Sequence, residues 1–582
     1  MLIPEGVRSR MRSFRVLISS DKRTLAAAVV VSVILGVASI AGERIFSQGK
    51  LGVTGLASLG LLLIEIVVAT IVVFLLTAPG FAMARSYKGL PEADYTSGFW
   101  ALSPLRRRAT LAAGFIAVWS VYWVMLWPGS ITQDSFRQII QALHLVPYSD
   151  HHPIAHTLVI EGLLTPLVAI TNDVTVSLSI ITAVQMVVLA AIFALCVDAM
   201  REFRLPTWIL TATYVLFLLH PLTGWYSVTL WKDIWLGTFV FALGTVSAII
   251  VSRARDGRPI PWSMWAVFAL SIVAVAFSKK TGLIIVLPLV AVAVFYLRGR
   301  NLVKWVSLGL TGVLAYLAGH ALIVAALQVK PGSEAEAWSM PVQQIARTVA
   351  ENGDSLSATE RAAIDEFFNG ADIGELYEPW ISDPIKKRLN VDLLDTRRDE
   401  FVSLWLTLGR EHPATYVDAT LNQTYGYWYP DVTYWMTSAS SWSDILRYNA
   451  ADKRKDSLEK TVAAQLYIEY NGGEVVTVEP YKPELFPLNS IRRIPIIGWL
   501  LSLGAWTWTA LVFTAISISR RTVQSRPVSV LMVIVLATCA LSPVFAEARY
   551  AYPVLLLLPL LGSLTFMRTA ENVGNLDAKR KS

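Results

Sequence analysis

The chain has 582 residues, 54% of them hydrophobic and only 16% charged, with a formal net charge of +7 and 20 tryptophans. Its mean hydropathy is +0.51, whereas soluble domains carry about a quarter charged residues, so a soluble enzyme, a disordered scaffold and a disulfide-rich secreted module are excluded. The two cysteines, Cys196 and Cys539, lie inside apolar runs and supply neither a disulfide framework nor a Cys-based zinc site.

Residues 1–23 carry Arg8, Arg10, Arg12, Arg15, Lys22 and Arg23 and read as a cytoplasmic basic arm rather than a cleaved leader. Runs long enough to cross a hydrocarbon core of about 30 Å then follow at 24–42, 55–78, 109–127, 175–198, 206–220, 234–252, 262–278, 281–298 and 303–328. Three more come late, at 494–518, 527–546 and 551–567, and a further run at 154–171 is ambiguous. Residues 329–490 break the pattern, being polar and rich in Asp, Glu, Tyr and Trp. About 160 residues suffice for one domain with its own core. Ser357-Ala-Thr-Glu360 ahead of Arg-Ala-Ala-Ile-Asp-Glu-Phe-Phe is a capping box opening an amphipathic helix, so this insert is expected to be mainly helical. The chain divides into a membrane bundle 1–328 with a loop at 128–153, an insert 329–490, membrane helices within 491–567 and a tail 568–582.

Lys and Arg in short loops mark the cytoplasmic side. Arg106–Arg108, Arg201 and Arg204, Arg253–Arg258, Arg298–Lys304, Arg520 and Arg521, and Lys579–Lys581 are therefore topology signals, not a nucleic-acid surface. One span leads out after Arg108 and the chain is back inside by Arg201, so only one of 154–171 and 175–198 crosses. The shorter contains His156, Glu161 and Pro166 and is expected to be interfacial or re-entrant. The fold class is an all-α polytopic membrane protein with about twelve crossings, both termini cytoplasmic and the insert extracytoplasmic. The outer face then collects Pro128–Pro153, His220–Asp233, Ser278–Thr281, the insert and Glu547–Tyr550. Convergence of ionisable groups at one membrane edge suggests a site there.

Trp127-Pro-Gly-Ser-Ile-Thr-Gln-Asp134-Ser-Phe-Arg137 breaks the third span and opens a short interfacial helix. Asp134 either caps that helix or presents a carboxylate, the usual base for a hydroxyl nucleophile. Tyr148-Ser-Asp150-His151-His152-Pro153 closes the loop, with His156 beyond it. The histidine spacing matches no standard zinc motif; the imidazoles either orient a phosphate or sugar, ligate a metal, or pack. Whether a divalent cation takes part stays open. Lys232 and Asp233 start a span, as snorkelling anchors or as substrate contacts. His220-Pro-Leu-Thr-Gly-Trp-Tyr-Ser before them is a turn able to line a sugar pocket. Lys279 and Lys280 are cations on the outer side, either tolerated by a short loop or forming a phosphate clamp. Arg549, beside Glu547 and Tyr550, either completes that clamp or forms a structural salt bridge. The aromatic run Tyr425–Tyr429 and the pair Tyr434 and Trp435 suit sugar faces and membrane headgroups equally. No Gly-x-Gly-x-x-Gly or Walker loop is present, so no soluble nucleotide or redox cofactor is expected.

An outer-facing Asp soon after an early span, a His-Pro closing the same loop and a large late insert resemble the GT-C superfamily of integral-membrane glycosyltransferases, which includes protein O-mannosyltransferases and lipid A aminoarabinose transferases. The chain is more closely similar to a bacterial family of multi-pass proteins of unknown function. That likeness shows in Trp-Pro-Gly-x4-Asp134-Ser, His-His-Pro153, Trp-Lys-Asp233, Met-Pro-Val-Gln-Gln-Ile-Ala-Arg347, Ile381-Ser-Asp-Pro-Ile-Lys386 and Glu-x-Arg-Tyr550, from about residue 110 onward. The superfamily resemblance implies a polyprenyl-phosphate sugar donor bound from the outer leaflet of the bacterial plasma membrane and a cell-envelope glycan, lipid or protein acceptor. It also implies Asp134 as base or acceptor-orienting group, with basic residues holding the donor phosphate, and the outer-face cations Lys279, Lys280 and Arg549 are the candidates for that hold. His151, His152, Lys232, Asp233, Glu547 and Tyr550 would orient substrate. The O-mannosyltransferase Asp-Glu pair is Asp134-Ser135 here, and the usual Lys or Arg before the loop proline is His152.

Overall fold

The computed structural model describes residues 22–432, 442–451, 458–471, 494–542 and 544–568, which form helices and no strand. The first half contains α1 (Lys22–Gln48), α2 (Leu56–Ser86), α3 (Pro104–Met125), α4 (Gln133–Ala142), α5 (Ile154–Thr171), α6 (Val174–Ala199), α7 (Thr207–Leu219), α8 (Pro221–Ser227), α9 (Lys232–Arg255), α10 (Trp262–Ser278), α11 (Gly282–Ala291) and α12 (Gly299–Leu327). The insert contributes α13 (Ser339–Asn352), α14 (Ala358–Phe367), α15 (Asp383–Lys386), α16 (Val391–Thr396), α17 (Arg398–Glu411), α18 (Pro413–Thr424), α19 (Trp442–Ala451) and α20 (Leu458–Asn471). The chain returns to the bundle with α21 (Pro495–Leu501), α22 (Leu503–Arg520), α23 (Arg526–Ala540) and α24 (Ala548–Thr565).

Among the described residues nine helices are long and apolar enough to cross a membrane, ten if the bent pair α7–α8 counts as one. The chain is thus a multi-pass membrane protein. Several expected runs differ in detail. The run 206–220 ends at a 60° bend into α8, and α10 and α11 are shorter than a full span. The run 494–518 breaks at Ser502, whose hydroxyl accepts the Ala505 N–H at 3.2 Å and caps α22. The run 154–171 is one unbroken 18-residue helix, so a re-entrant loop does not describe it.

The innermost helix, α9, is buried along nearly its whole length, whereas α2 turns Leu63, Ile64, Val67 and Leu76 outward. A helix apolar on all sides belongs in a core or in lipid, and these two represent those two cases. At one end of the bundle Arg107 and Arg108 grip Asp198 at 2.5 and 2.6 Å, and Arg253 and Arg258 hold Glu202 at 2.9 and 3.4 Å. The buried Arg520 caps the carbonyls of Tyr87 and Thr565 there, each at 2.9 Å. Thr24 meets Ser519 near the same end, so the start of α1 packs beside the end of α22.

The insert packs on the opposite end. Its core is built from Val342, Ile345, Phe367, Phe368, Leu394 and Phe401, and the expected capping box is present, with Glu360 accepting the Ser357 N–H at 2.8 Å. Arg347 and Asn422 donate to Gly49 O at 2.8 and 2.7 Å, tying the insert to the α1–α2 turn. Gln423 and Tyr427 donate to the carbonyls of Ser542 and Val544 at 2.9 Å, tying it to the segment before α24.

Candidate functional site

At the insert end the N-termini of α4, α9 and α24 converge. The turn after α3 makes this possible: Gly129 has φ +113°, and a Cβ there would lie 2.5 Å from Thr182 Cγ2, so only glycine fits. Ser130 N–H then donates to Val228 O at 2.9 Å and Leu230 N–H to Ser130 O at 3.2 Å, while Ser135 Oγ donates to Leu230 O at 2.7 Å. These bonds hold the start of α4 against the start of α9. Thr132 is the N-cap of α4, accepting the Ser135 N–H. The capping reading of Asp134 therefore gives way: a hydroxyl does that work, and the carboxylate faces cations.

Lys232 Nζ donates to Asp134 Oδ2 at 2.7 Å and Arg549 Nη1 donates to the same oxygen at 2.9 Å. Lys279 Nζ donates to Asp233 Oδ1 at 2.7 Å; Asp233 Oδ2 lies 3.7 Å from Lys232 and 4.0 Å from Arg549 and has no hydrogen-bond partner among the described residues. Arg549 Nε is 3.1 Å from Glu547 Oε2. Its guanidinium stacks 4.5 Å from the Trp231 ring, and Lys279 sits 3.7 Å over Tyr550. Asp134, Lys232, Asp233, Lys279, Glu547, Arg549 and Tyr550 thus form one cluster.

His152 joins it. Lys232 Nζ lies 3.2 Å from His152 Nδ1; an ammonium only donates, so Nδ1 accepts and the neutral ring carries its proton on Nε2. That nitrogen is buried and has no partner among the described residues. Burial first, then the charge of Lys232, push His152 down to about 2 against the pull of Asp134, so the ring is neutral. For Asp134 burial acts upward, but the charges of Lys232 and Arg549 and the hydrogen bond from Lys232 outweigh it and hold the carboxyl well below the usual carboxylate range.

His151 sits at the rim, its ring 4.6 Å from that of His152 and its Nε2 3.4 Å from Arg137. Lys280 stands apart: it is 56% exposed and pairs with Asp150 at 3.0 Å, where His320 also approaches at 3.4 Å. The adjacent Lys279 and Lys280 therefore do not form a joint clamp. His320, the Trp231 ring and the Tyr427 hydroxyl, which accepts the Glu547 N–H at 3.1 Å, were not singled out from sequence for these contacts. A lone imidazole inside the apolar run 303–328 was the available signal for the first.

The aromatic run packs rather than opening a sugar platform: Tyr427 and Tyr429 are buried, and Tyr425 stacks on Phe545 at 4.6 Å. Tyr434 and Trp435 lie outside the described residues. The turn His220–Ser227 is α8 and its N-cap, in the core. Among the described residues no three His, Cys, Asp or Glu side chains are arranged to hold a metal ion; His156 instead faces Gln138 at 2.9 Å. An apolar cleft of about 710 Å³, lined by Trp208, Leu216, Trp506, Phe513, Leu558 and Phe566 among others, touches none of the cluster residues.

The sequence profile of a family of unknown function, DUF6020, matches residues 142–468. No curated protein and no solved structure is similar enough to match.

Proposed function

Since the chain belongs to the DUF6020 family, whose function is unknown, we propose its function from the site: a GT-C-type membrane glycosyltransferase that moves a sugar, with inversion, from a polyprenyl-phosphate donor to a cell-envelope acceptor on the extracytoplasmic face of the bacterial plasma membrane. The observation that carries this reading is where two cations sit. Lys232 is the first residue of α9 and Arg549 the second of α24. A helix N-terminus carries about +0.5 charge and disfavours a cation by about 0.3–1 kcal/mol, so helix stability does not account for either position. Three such termini meeting two misplaced cations favour an anion between them. The unpartnered Nε2–H of His152 and the orphaned Asp233 Oδ2 supply one donor and one acceptor for sugar hydroxyls.

In the reaction the bond from C1 to the phosphate oxygen breaks and its electron pair leaves with the phosphate, held by Lys232, Lys279 and Arg549. Fixed cations help most where charge develops in this way. The acceptor oxygen forms the new bond to C1 from the opposite face, and its proton goes to Asp134. In the resting site Asp134 is a weak base because two cations hold it; a donor phosphate that takes over Lys232 and Arg549 releases it. The insert, packed above, selects the acceptor.

The membrane placement rests on α3 and α6. They are tied at one end by Arg107 and Asp198 and at the other by Trp123, whose indole donates to Ser179 O at 3.0 Å. The intervening rise of about 24 Å at 1.5 Å per residue accounts for most of a hydrocarbon core of about 30 Å. The start of α6 lies beyond that level, and α5, though itself long and apolar enough to cross, packs against that start through Ile160 and Leu164. This supports α5 as an interfacial helix at the outer leaflet, an odd number of crossings between Arg108 and Arg201, and both termini inside.

One observation favours a second reading, a lipid or glycolipid flippase: the apolar cleft lies away from the charged cluster. Purified protein incubated with a radiolabelled polyprenyl-phosphate sugar and a cell-envelope acceptor separates the two. Transfer of label supports the enzyme, lipid movement without transfer supports the flippase, and neither leaves a non-catalytic scaffold for envelope assembly.

A further inference from the structure

The formal charges of the cluster cancel: Asp134, Asp233 and Glu547 face Lys232, Lys279 and Arg549. A donor phosphodiester adds a negative charge to a pocket whose groups are largely out of water. The helix N-termini offset part of it, and a proton is the smallest species able to offset the rest. The contacts indicate which carboxylate takes that proton. Asp134 accepts two charge-assisted bonds, at 2.7 and 2.9 Å. Asp233 holds Lys279 at 2.7 Å with two more cations within 4.0 Å. Among the described residues Glu547 has one cation within ion-pair distance, Arg549, whose Nε lies 3.1 Å away without making an aligned hydrogen bond. The groups facing Glu547 are Arg549 and Tyr550 from α24, Asp134 from α4, Asp233 from α9, Lys279 at the end of α10, and the Tyr427 hydroxyl from the insert. Once a phosphate draws Arg549 toward itself, Glu547 is left facing two carboxylates.

We propose that binding of the donor phosphate takes up one proton, and that Glu547 receives it. This rests on the reading of the cluster as a donor-phosphate site. Burial foremost, reinforced by Asp134 and Asp233 against Arg549, already raises the Glu547 carboxyl before any ligand arrives. The transfer balances simply: the proton comes from buffer, forms the Glu547 O–H bond, and returns when the phosphate leaves. Donor affinity then falls as pH rises past the liganded pKa of Glu547.

The probe is farnesyl methyl phosphodiester, chosen because a phosphomonoester titrates near pH 6 itself and a diester does not. It is titrated calorimetrically into the full-length protein in detergent at about pH 7, in two buffers of different ionisation enthalpy. The expected result is a buffer-dependent enthalpy equal to uptake of about 0.5–1 proton per bound probe, with affinity falling up to about tenfold per pH unit on the alkaline side. Glu547→Gln should bind the probe with uptake below about 0.2, whereas Lys280→Ala, whose ion pair with Asp150 lies outside the cluster, should retain the uptake. Binding with equal enthalpy in both buffers overturns the proton coupling and leaves the donor site standing. No binding in either buffer overturns the donor site itself. Undiminished uptake in Glu547→Gln overturns the assignment to Glu547. Independently of any variant, the infrared difference spectrum of unmutated protein should gain a protonated-carboxyl band on binding, and its absence counts against the proposal.

Discussion

Replacing Asp134 by Asn removes one negative charge from a cluster whose charges otherwise cancel, and it leaves Lys232 and Arg549 without their shared carboxylate oxygen. If the donor phosphate sits about 5 Å from that oxygen, the repulsion removed is about 3 kcal/mol at an effective dielectric near 20. The Asp134 side chain is 22% exposed, so solvent screening reduces this to about 1–2 kcal/mol, or about 5–30-fold in affinity. Transfer should move the other way, because a positioned base contributes about 10²–10⁴ in rate. Asp134→Asn is therefore expected to bind the farnesyl phosphodiester more tightly while losing at least about 100-fold in sugar transfer. Calorimetry and the radiolabel assay on one preparation read both quantities. A purely structural Asp134 would weaken both together, and tighter binding with undiminished transfer would remove Asp134 as the base. Either result refutes the reasoning.

Lys279→Ala leaves Asp233, whose side chain is 1% exposed, without its closest cation, and should cost about 3 kcal/mol of stability. Lys280→Ala removes a largely exposed cation and leaves Asp150 beside His320, so it should cost under about 1 kcal/mol; thermal unfolding in detergent compares them. Gly129→Ala meets both a φ of +113° and the Thr182 side chain, so a loss of at least about 2 kcal/mol is expected, together with lost transfer, because the turn aims Asp134. Neutral His152 gives a pH dependence of known sign. Its folded pKa is depressed to about 2 while the unfolded value is about 6.5, so below about pH 6.5 the unfolded state takes a proton that the folded state refuses. This group alone should lower stability by about 1.4 kcal/mol for each pH unit below about 6.5, and because burial also depresses His151, His152→Asn should lessen the acid-side slope by about that amount without abolishing it.

The membrane character and most helices were readable because long apolar runs need no partner to be recognised. Charges bounding those runs, Asp134, Lys232, Asp233, Lys279 and Arg549, stood out for the same reason: an ion at a membrane edge must be paired or used. What stayed illegible depends on neighbours distant in sequence. Lys279 and Lys280 are consecutive, yet the extended backbone at Lys279 after α10 sends one inward to Asp233 and the other out to Asp150. The break in 494–518 follows from Ser502, whose hydroxyl both caps α22 and donates to Pro430 O at 2.7 Å, an acceptor from the insert. The aromatics at 425–429 have the composition of a sugar platform, and only contacts with the bundle identify them as packing. The cancellation of charge within the cluster was equally hidden, since it is a property of the assembled pocket.

The bond between Asp134 and Arg549 joins positions 415 residues apart. At a synthesis rate of about 5–20 residues per second, the ribosome needs on the order of 20–80 seconds to go from one to the other. Throughout that interval Asp134 and Asp233 wait at the bilayer edge without their guanidinium partner. Insertion of α24 then delivers the hub of the ion network, so the cluster is assembled only when this helix arrives, and a chain released before it lacks the cation that links Asp134, Asp233 and Glu547.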